Sequence, residues 1–424
     1  MIFMSLRWKC LACGLILVRG LCYAQSAAAE WSESQVIERF LAQSPQAREL
    51  RARVALTEAE TRARTVYVNP SVSYSREGAG YNAFLEASQV LPVSGRVGLL
   101  RKAIEAATSV AEGNREAVLW SLRSDLRIAF YRMVASEQRA ELLSSRIGEV
   151  EQLVRILRQR EEEGEGSRYD RLRAERELTE LRTDVTLAQS LVAAGGARLA
   201  GFLPEGTQVQ RVRGELRLAF EPPALEDLIR RAMSGRADYR AEQQNRARSQ
   251  IEEQAARRLR LPEPVVSAGV KRADILSGAG PNLFSNVTHT ALAFSVGVPL
   301  PILNTGRYEV ARYQAEQEEA EARIVLLSRQ IHTEVEGARA VLDVRRDALA
   351  AYHRDIEAAG TELIHITQTA YQEGEIGILE LLDAYRVNGA AALRQLDLEA
   401  GVKEAFIELE RVVGEELTGK EVQP

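Results

Sequence analysis

Between residues 97 and 160 the chain has no proline, and apolar residues recur at every seventh position. Leu119, Leu126, Met133, Ala140, Ile147 and Val154 form one row; Leu122, Ala129, Ser136, Leu143, Val150 and Leu157 form a second, three residues later in each heptad. Two such rows are the a/d seam of a coiled coil, sustained over six heptads. At 1.5 Å per residue the run predicts a helix roughly 95 Å long. No compact domain accommodates a rod of that length, so this stretch commits the chain to a bundle or a tube.

The rod is made twice. A second proline-free run, 308–371, carries Val335, Leu342, Leu349, Ile356, Leu363 and Ala370 in one row and Ala338, Tyr352, Ala359 and Ile366 in the other, which Arg345 interrupts. Each rod ends at a glycine turn: Glu163-Gly164-Glu165-Gly166-Ser167 and, 210 residues on, Glu373-Gly374-Glu375-Ile376-Gly377. A glycine between two helix-forming runs is a stop signal, so each rod is expected to fold back into a return helix. Each rod is also preceded by two runs of period two, a hairpin signature. In the first, Val72 and Tyr74 alternate with Ser71, Ser73 and Ser75; in the second, Leu292, Phe294, Val296 and Val298 alternate with Ala291, Ala293, Ser295 and Gly297, after a loop expected over 274–286. Similar junctions lead from strand to rod: Leu91-Pro92-Val93-Ser94-Gly95-Arg96 and, two residues longer, Leu300-Pro301 through Gly306-Arg307. Proline ends the ladder, and Ser94 is positioned to cap the helix. A duplication of this length in matched order weighs more than any single motif.

The expected plan is therefore a leader over 1–24, a first repeat over 25–203 (hairpin 70–91, rod 97–160, turn 161–170, return helix), and a linker over 204–223 with strand character at 209–220. A second repeat follows over 224–414 (hairpin 264–299, rod 308–371, turn 372–378, return helix), then a polar tail over 415–424. The leader reads as a secretory signal: Arg7 and Lys9 are its basic start, residues 11–18 its short apolar centre, and Cys22-Tyr23-Ala24 a small-residue cleavage site. Its removal takes Arg7, Lys9 and Arg19 with it, moving the formal charge from −5 to −8, which disfavours nucleic acid as a partner. All three cysteines leave as well, so disulfides and thiolate metal sites are not expected.

Catalytic signatures do not emerge. His353 and His365 are 12 residues apart, about 18 Å along a helix, and His289 and His332 are isolated, so no metal-ligand set forms. Neither a Gly-x-x-x-x-Gly-Lys-Ser/Thr loop nor a Gly-x-Ser-x-Gly elbow occurs. The expectation is a protein that is not an enzyme and that carries no cofactor and no metal.

The four strands each have one apolar and one small or polar face, yet they lie at the far end of rods too long to supply them with a core. A membrane supplies the missing apolar partner, and in lipid a sheet must close. Four strands are too few, since the smallest membrane barrels have about eight; three copies would give twelve strands above twelve helical rods. The fold class expected is mainly α with a small β part: an α-barrel of long antiparallel hairpins and two β-hairpins that complete a 12-stranded barrel in a trimer. The other reading is a periplasmic coiled-coil adaptor or structural protein without a pore.

The junctions at Pro92, Gly95 and Arg96 and at Pro301, Gly306 and Arg307, with the turns at Gly164 and Gly374, resemble those of the TolC family of outer-membrane efflux channels. Ala370-Tyr371-Gln372-Glu373-Gly374-Glu375-Ile376 and Leu379-Glu380-Leu381-Leu382-Asp383-Ala384 look especially like the second tip of that family, and the first junction looks most like its heavy-metal branch (CzcC- and CusC-like). The resemblance implies a homotrimer in outer-membrane lipid, a helical tube through the periplasm, and docking to a periplasmic adaptor and an inner-membrane pump of the RND type. It places Glu380 and Asp383, with Asp170 in the first repeat, at the acids of the periplasmic gate, and Gly164, Glu165, Gly374, Glu375 and Ile376 at the turns that meet the adaptor. The family often pairs its tip acids with a cation across the hairpins; Ser167 and Ile376 offer none, which leaves Arg168, Arg171 or Arg173.

Overall fold

The computed structural model describes residues 30–77, 82–218, 221–278, 284–354 and 358–417. The leader, the outer turns of both hairpins and most of the tail lie outside the described residues. A short strand β1 (Glu30–Ser32) leads into helices α1 (Glu33–Gln43) and α2 (Pro45–Ala63). Strands β2 (Ser71–Glu77) and β3 (Asn82–Val90) precede the rod α3 (Arg96–Glu162) and its return helix α4 (Arg168–Ala200). After β4 (Arg211–Arg213) the plan repeats: α5 (Leu225–Gly235), α6 (Ala237–Arg257), β5 (Val265–Gly278), β6 (Phe284–Gly297), α7 (Arg307–Tyr352), α8 (Ala358–Gln372) and α9 (Ile378–Val413).

The repeats use the same local devices. Both rods start on a left-handed glycine, Gly95 (φ 72°) and Gly306 (φ 76°). The N-cap of α3 is thus Gly95 and not Ser94; the Ser94 hydroxyl still accepts from the Arg96 amide and donates to Glu263 at 2.7 Å, tying the junction to the start of β5. Both rods end alike. The Glu165 amide bonds back to the Arg160 carbonyl (2.9 Å) and the Glu375 amide to that of Ala370 (2.8 Å), with Gly164 (φ 79°) and Gly374 (φ 77°) left-handed. That six-to-one bond is the Schellman closure, which a side chain bearing Cβ strains.

In the half nearer the strands the helices lie side by side in the order α2–α3–α6–α7; in the other half the order is α4–α3–α9 and then α7–α8. Gly113 lets α3 approach α6, since a Cβ there would lie 2.9 Å from that of Ala241. The result is a wall one helix thick whose outer rods leave apolar residues uncovered: Leu56 on α2, Leu187 and Leu191 on α4, Val325 and Val344 on α7. The seam of α3 faces inward as its heptads require; Leu126, Met133, Val154, Ala129, Leu143, Val150 and Leu157 are buried. The second seam is buried at Val335 and Leu342 and partly covered at Ala338 and Leu349. A π turn stands at 353–354, and farther along α8 Leu363 and Ile366 are exposed while Thr367 is buried.

Strands β2–β3–β5–β6 form one antiparallel sheet. Its register places Val72 and Tyr74, Leu85, Val266 and Val270, and Leu292, Phe294 and Val296 on one face. That face is bare: Leu292, Phe294 and Val296 are 73%, 77% and 68% exposed. The opposite face carries Ser71, Ser73, Glu86, Ser88, Ser267, Lys271, Ala293 and Ser295. β5 and β6 continue well into the stretch expected as loop, because the backbone ladder persists after the apolar alternation that marks it in sequence has ended. The strand character expected at 209–220 shrinks to β4, which pairs in parallel with β1 and so joins the linker to the start of the described chain.

Around the middle of the rods α1, the linker and the end of α9 gather on α3 over a core that includes Phe40, Phe130, Met133, Leu199 and Ile407. A buried charge cluster crosses it. Arg127 pairs with Glu33 and with Glu410, the Tyr131 hydroxyl donates to Glu33, and Lys403 lies 4.4 Å from the Tyr131 ring centre. Burial pushes the Glu33 carboxyl up, but the Arg127 charge and the bonds from Tyr131 and Arg127 outweigh it and hold the group below its ordinary 4.5. Glu410 also accepts the Leu417 amide at 2.8 Å, which seats the end of the described chain on α3.

Candidate functional site: the helical tip

At the end remote from the sheet, the two helical hairpins meet through an apolar cluster. Val150, Leu153, Val154 and Leu157 of α3 and Ala174, Leu178 and Leu181 of α4 pack against Ile378, Leu381 and Leu382 of α9. The return helices start on equivalent frames. Ser167 caps α4, its hydroxyl accepting the Tyr169 amide at 3.1 Å, whereas Gly377 caps α9 without a side chain. Asp170 and Glu380 are therefore the same position, the third residue of a return helix, where a carboxylate complements the helix dipole. A Cβ on Gly377 would lie 2.9 Å from the Glu380 carboxylate, so the bare glycine leaves room for that side chain to fold back over the helix start.

The sequence-derived acids divide into two groups. Glu380 and Asp383 line one cleft of about 350 Å³ together with Leu379, Leu382, Arg173 and Arg386. Arg173 is thus the cation that the first hairpin brings to the acids of the second. Asp170 sits elsewhere, close to Tyr371, whose phenol is pushed up by burial and further by the Asp170 charge. Arg171 is unavailable across the hairpins: its own hairpin holds it between Glu161 (2.5 Å) and Glu175 (2.9 Å). Hydrogen bonds from Arg158 and Arg171 in turn hold the Glu175 carboxyl below its usual range. Arg168 stands exposed on the first turn of α4. Glu165 and Glu375 are exposed at the turns, and Ile376 is half-buried.

Sequence reasoning missed the ion pair that ties the hairpins together. Arg386 of α9 reaches Glu177 of α4 through two nitrogens, with Glu180 at 4.0 Å. The bond to Glu177 raises the affinity of Arg386 for its proton. Deeper in, Arg146 of α3 donates to the Tyr385 carbonyl at 2.7 Å, and Gln368 of α8 to the Tyr385 hydroxyl at 2.6 Å. The Arg146 guanidinium occupies the space a Cβ on Gly389 would fill, 1.8 Å from that point, so glycine is required for α3 and α9 to lie together here. One signal could have found the missed pair: the 210-residue offset sets Arg386 against Arg176, next to Glu177.

The geometry is that of two hairpins latched side by side by polar contacts, with an acidic cleft on one flank and a bare apolar sheet at the remote end. Among the described residues no cluster of His, Cys, Asp and Glu could hold a metal ion. No helix there is long and apolar enough to cross a membrane. An adaptor without a pore would need a β-rich domain between its helical arms, and among the described residues of the linker the one strand is β4.

Comparison with known proteins agrees with this geometry. The sequence model of the family described as outer membrane efflux protein matches residues 228–415. A comparison with curated proteins gives no match. Among solved structures the chain is similar to CusC, with a TM-score of 0.70 at 17% identity over 91% of this chain and 92% of that one. It is similar to the MtrE outer membrane channel of Neisseria gonorrhoeae in its open state, with a TM-score of 0.67 at 20% identity over 92% and 91% of the two chains. It is also similar to the outer membrane protein VceC of Vibrio cholerae, with a TM-score of 0.67 at 15% identity over 90% and 96%. At such identities the likeness is one of fold, an α-barrel joined to a β-barrel. The chain thus matches the outer membrane efflux protein family by sequence over its second repeat, and over nine-tenths of its length it has the fold of the outer-membrane channels to which it is similar.

Proposed function

We propose that the protein is the passive duct of a tripartite efflux assembly and that its helical tip is the gate. Three copies close the sheet, the free edge of β2 in one meeting β6 of the next, to give twelve strands. The energy comes from an inner-membrane pump of the RND type, reached through a periplasmic adaptor that grips the turns at Gly164, Glu165, Gly374, Glu375 and Ile376. Heavy-metal cations are the cargo that the likeness to CusC and the acid-lined cleft favour.

The observation that carries the gate reading is the shared cleft of Glu380 and Asp383. These acids lie on one face of α9, three residues apart, and the cations lining their cleft among the described residues, Arg173 and Arg386, come one from each hairpin. Repeated around a threefold axis, such acids make two rings that favour cations. Glu380→Ala combined with Asp383→Ala, measured as single channels in planar bilayers, is expected to raise conductance and weaken cation preference. Unchanged conductance and selectivity would remove these residues from the gate.

A further inference from the structure

The bare face of the sheet outruns its ladder. On β6 that face carries Leu292, Phe294 and Val296, and the ladder stops at Gly297. The alternation nevertheless goes on through Val298 and Leu300, both exposed. Above Leu292 the same face turns polar: Arg76, Arg272 and Thr290 stand in one row, and Asp274 and Thr288 in the next. From Leu292 to Gly297 the strand climbs about 17 Å along its axis, or roughly 13 Å along the membrane normal at a tilt of about 40°. The apolar band of such barrels is about 25 Å tall, so the ladder covers only about half of it. Counting on to Leu300 brings the height to roughly 21 Å.

The other chain segments at this level are apolar too. Leu91 continues β3, its amide donating to the Pro264 carbonyl at 2.8 Å, and Leu91, Val66 and Val68 are exposed. Gln89, polar on the same face, turns its side-chain amide onto the carbonyls of Val68 and Val90, at 2.9 and 3.0 Å. Both strand-to-rod junctions then make a tight turn around proline. The Val93 amide returns to the Leu91 carbonyl at 2.9 Å and the Ile302 amide to the Leu300 carbonyl at 2.8 Å, each a three-residue turn. The turns leave Val93 exposed, Ile302 75% exposed and Leu303 fully so. Nearby, Tyr67 has Arg101 at 5.8 Å from its ring centre, and Tyr308 has Arg307 at 4.5 Å. Such pairs, apolar in the body and polar at the tip, suit the level of lipid headgroups.

We propose that the two proline-centred junctions, with Val93, Ile302 and Leu303 at their tips, are membrane anchors sunk among the phospholipid acyl chains of the leaflet nearer the helices. This seating presupposes that the sheet is the lipid-facing wall of a barrel, and it extends that wall beyond the last ladder bond. Single exposed apolar residues are ordinary on a protein surface; these continue an apolar face and complete the height that lipid requires. A second copy does not account for them equally well. Copies joined along the free edges of β2 and β6 could cover Ile302, but Val93 follows β3, an inner strand of the sheet, and stays on the open wall. The rods α3 and α7 then begin at the headgroup level, each on its left-handed glycine.

The test uses the assembled channel in vesicles of phosphatidylethanolamine and phosphatidylglycerol. One residue at a time is replaced by cysteine and labelled with an environment-sensitive fluorophore, with the unaltered channel as blank. Ile302→Cys and Val93→Cys are expected to lose more emission to a nitroxide near the lipid headgroup than to one near the acyl end, and to resist iodide in the water. Phe294→Cys, in the middle of the band, is expected to show the reverse order of lipid quenching, and Ser295→Cys, on the opposite face, to be quenched by iodide alone. Quenching of Ile302→Cys or Val93→Cys by iodide and by neither nitroxide, with Phe294→Cys still quenched from the acyl end, would overturn the seating and leave the barrel standing. Absence of lipid quenching at Phe294→Cys would overturn the barrel itself. Shielding of Ile302→Cys and Val93→Cys from iodide and nitroxides alike would make a second copy the occupant and overturn lipid. Leu303→Cys is read by the same criteria, so that a variant failing to assemble still leaves a decisive measurement.

Discussion

The pair between Glu177 and Arg386 lends itself to a quantitative test, because its two ends are buried to different depths. The Glu177 side chain is 11% exposed and that of Arg386 51%. Arg386→Gln removes the strong donor and leaves a carboxylate held away from water, a loss of about 1–3 kcal/mol. Glu177→Gln leaves a half-exposed guanidinium that water and Glu180 can serve, so the loss should stay below about 1 kcal/mol. The pair joins α4 to α9, the return helices of different hairpins, and separating the hairpins breaks it. These losses therefore act on the closed arrangement of the tip. With tenfold for each 1.4 kcal/mol, Arg386→Gln is expected to shift the ratio of open to closed tips by roughly 5- to 150-fold and Glu177→Gln by no more than about fivefold. The double variant should resemble Glu177→Gln, since the orphaned carboxylate is then gone. Open probability in planar bilayers, measured for all four proteins in one lipid, closes the cycle. Additive effects, or a larger effect from Glu177→Gln, would refute the reasoning.

Two further outcomes follow from the same structure. Phe294→Arg places a charge in the middle of the lipid-facing surface and is expected to reduce barrel stability by about 2–4 kcal/mol, seen as a lower urea midpoint for unfolding from vesicles, whereas Ala293→Arg on the opposite face should cost far less. The pH dependence of the charge cluster around Arg127 has a defined sign. Because Glu33 is held below its ordinary 4.5 in the folded chain, its contribution is complete above that value and fades as the pH falls through the depressed value. The melting temperature of the detergent-solubilised channel should therefore exceed that of Glu33→Gln at neutral pH, and the gap should narrow progressively below about pH 4.5; a constant gap would exclude the linkage.

Much of this molecule could be read from local pattern. The rods, glycine turns, hairpins and their duplication follow from heptads, period-two alternation and backbone chemistry at a few glycines, because each of those signals acts over neighbouring residues. Leu126, Met133 and Val150 needed nothing but their spacing to be placed inside. The reading failed where a signal depends on distant parts of the chain. Leu363 and Ile366, placed in the seam by spacing, are exposed beyond the π turn at 353–354, and no residue type marks such a turn. β5 and β6 outran their alternation because a ladder is held by its partner strand and not by its own side chains.

The candidate site shows the same division. Glu380 and Asp383 share a helix face by spacing alone, and the sequence offered Arg173 as one of three possible partners. That Arg173 shares their cleft, that Arg171 is held within its own hairpin, and that Arg386 reaches Glu177 depend on how two hairpins 210 residues apart are set side by side. The sequence by itself determined a duplicated rod-and-hairpin chain with one apolar sheet face, since periodicity and turn chemistry are local. Only the tertiary structure decided which charges meet, since an ion pair is fixed by where the backbone carries its two ends and not by the composition of either helix.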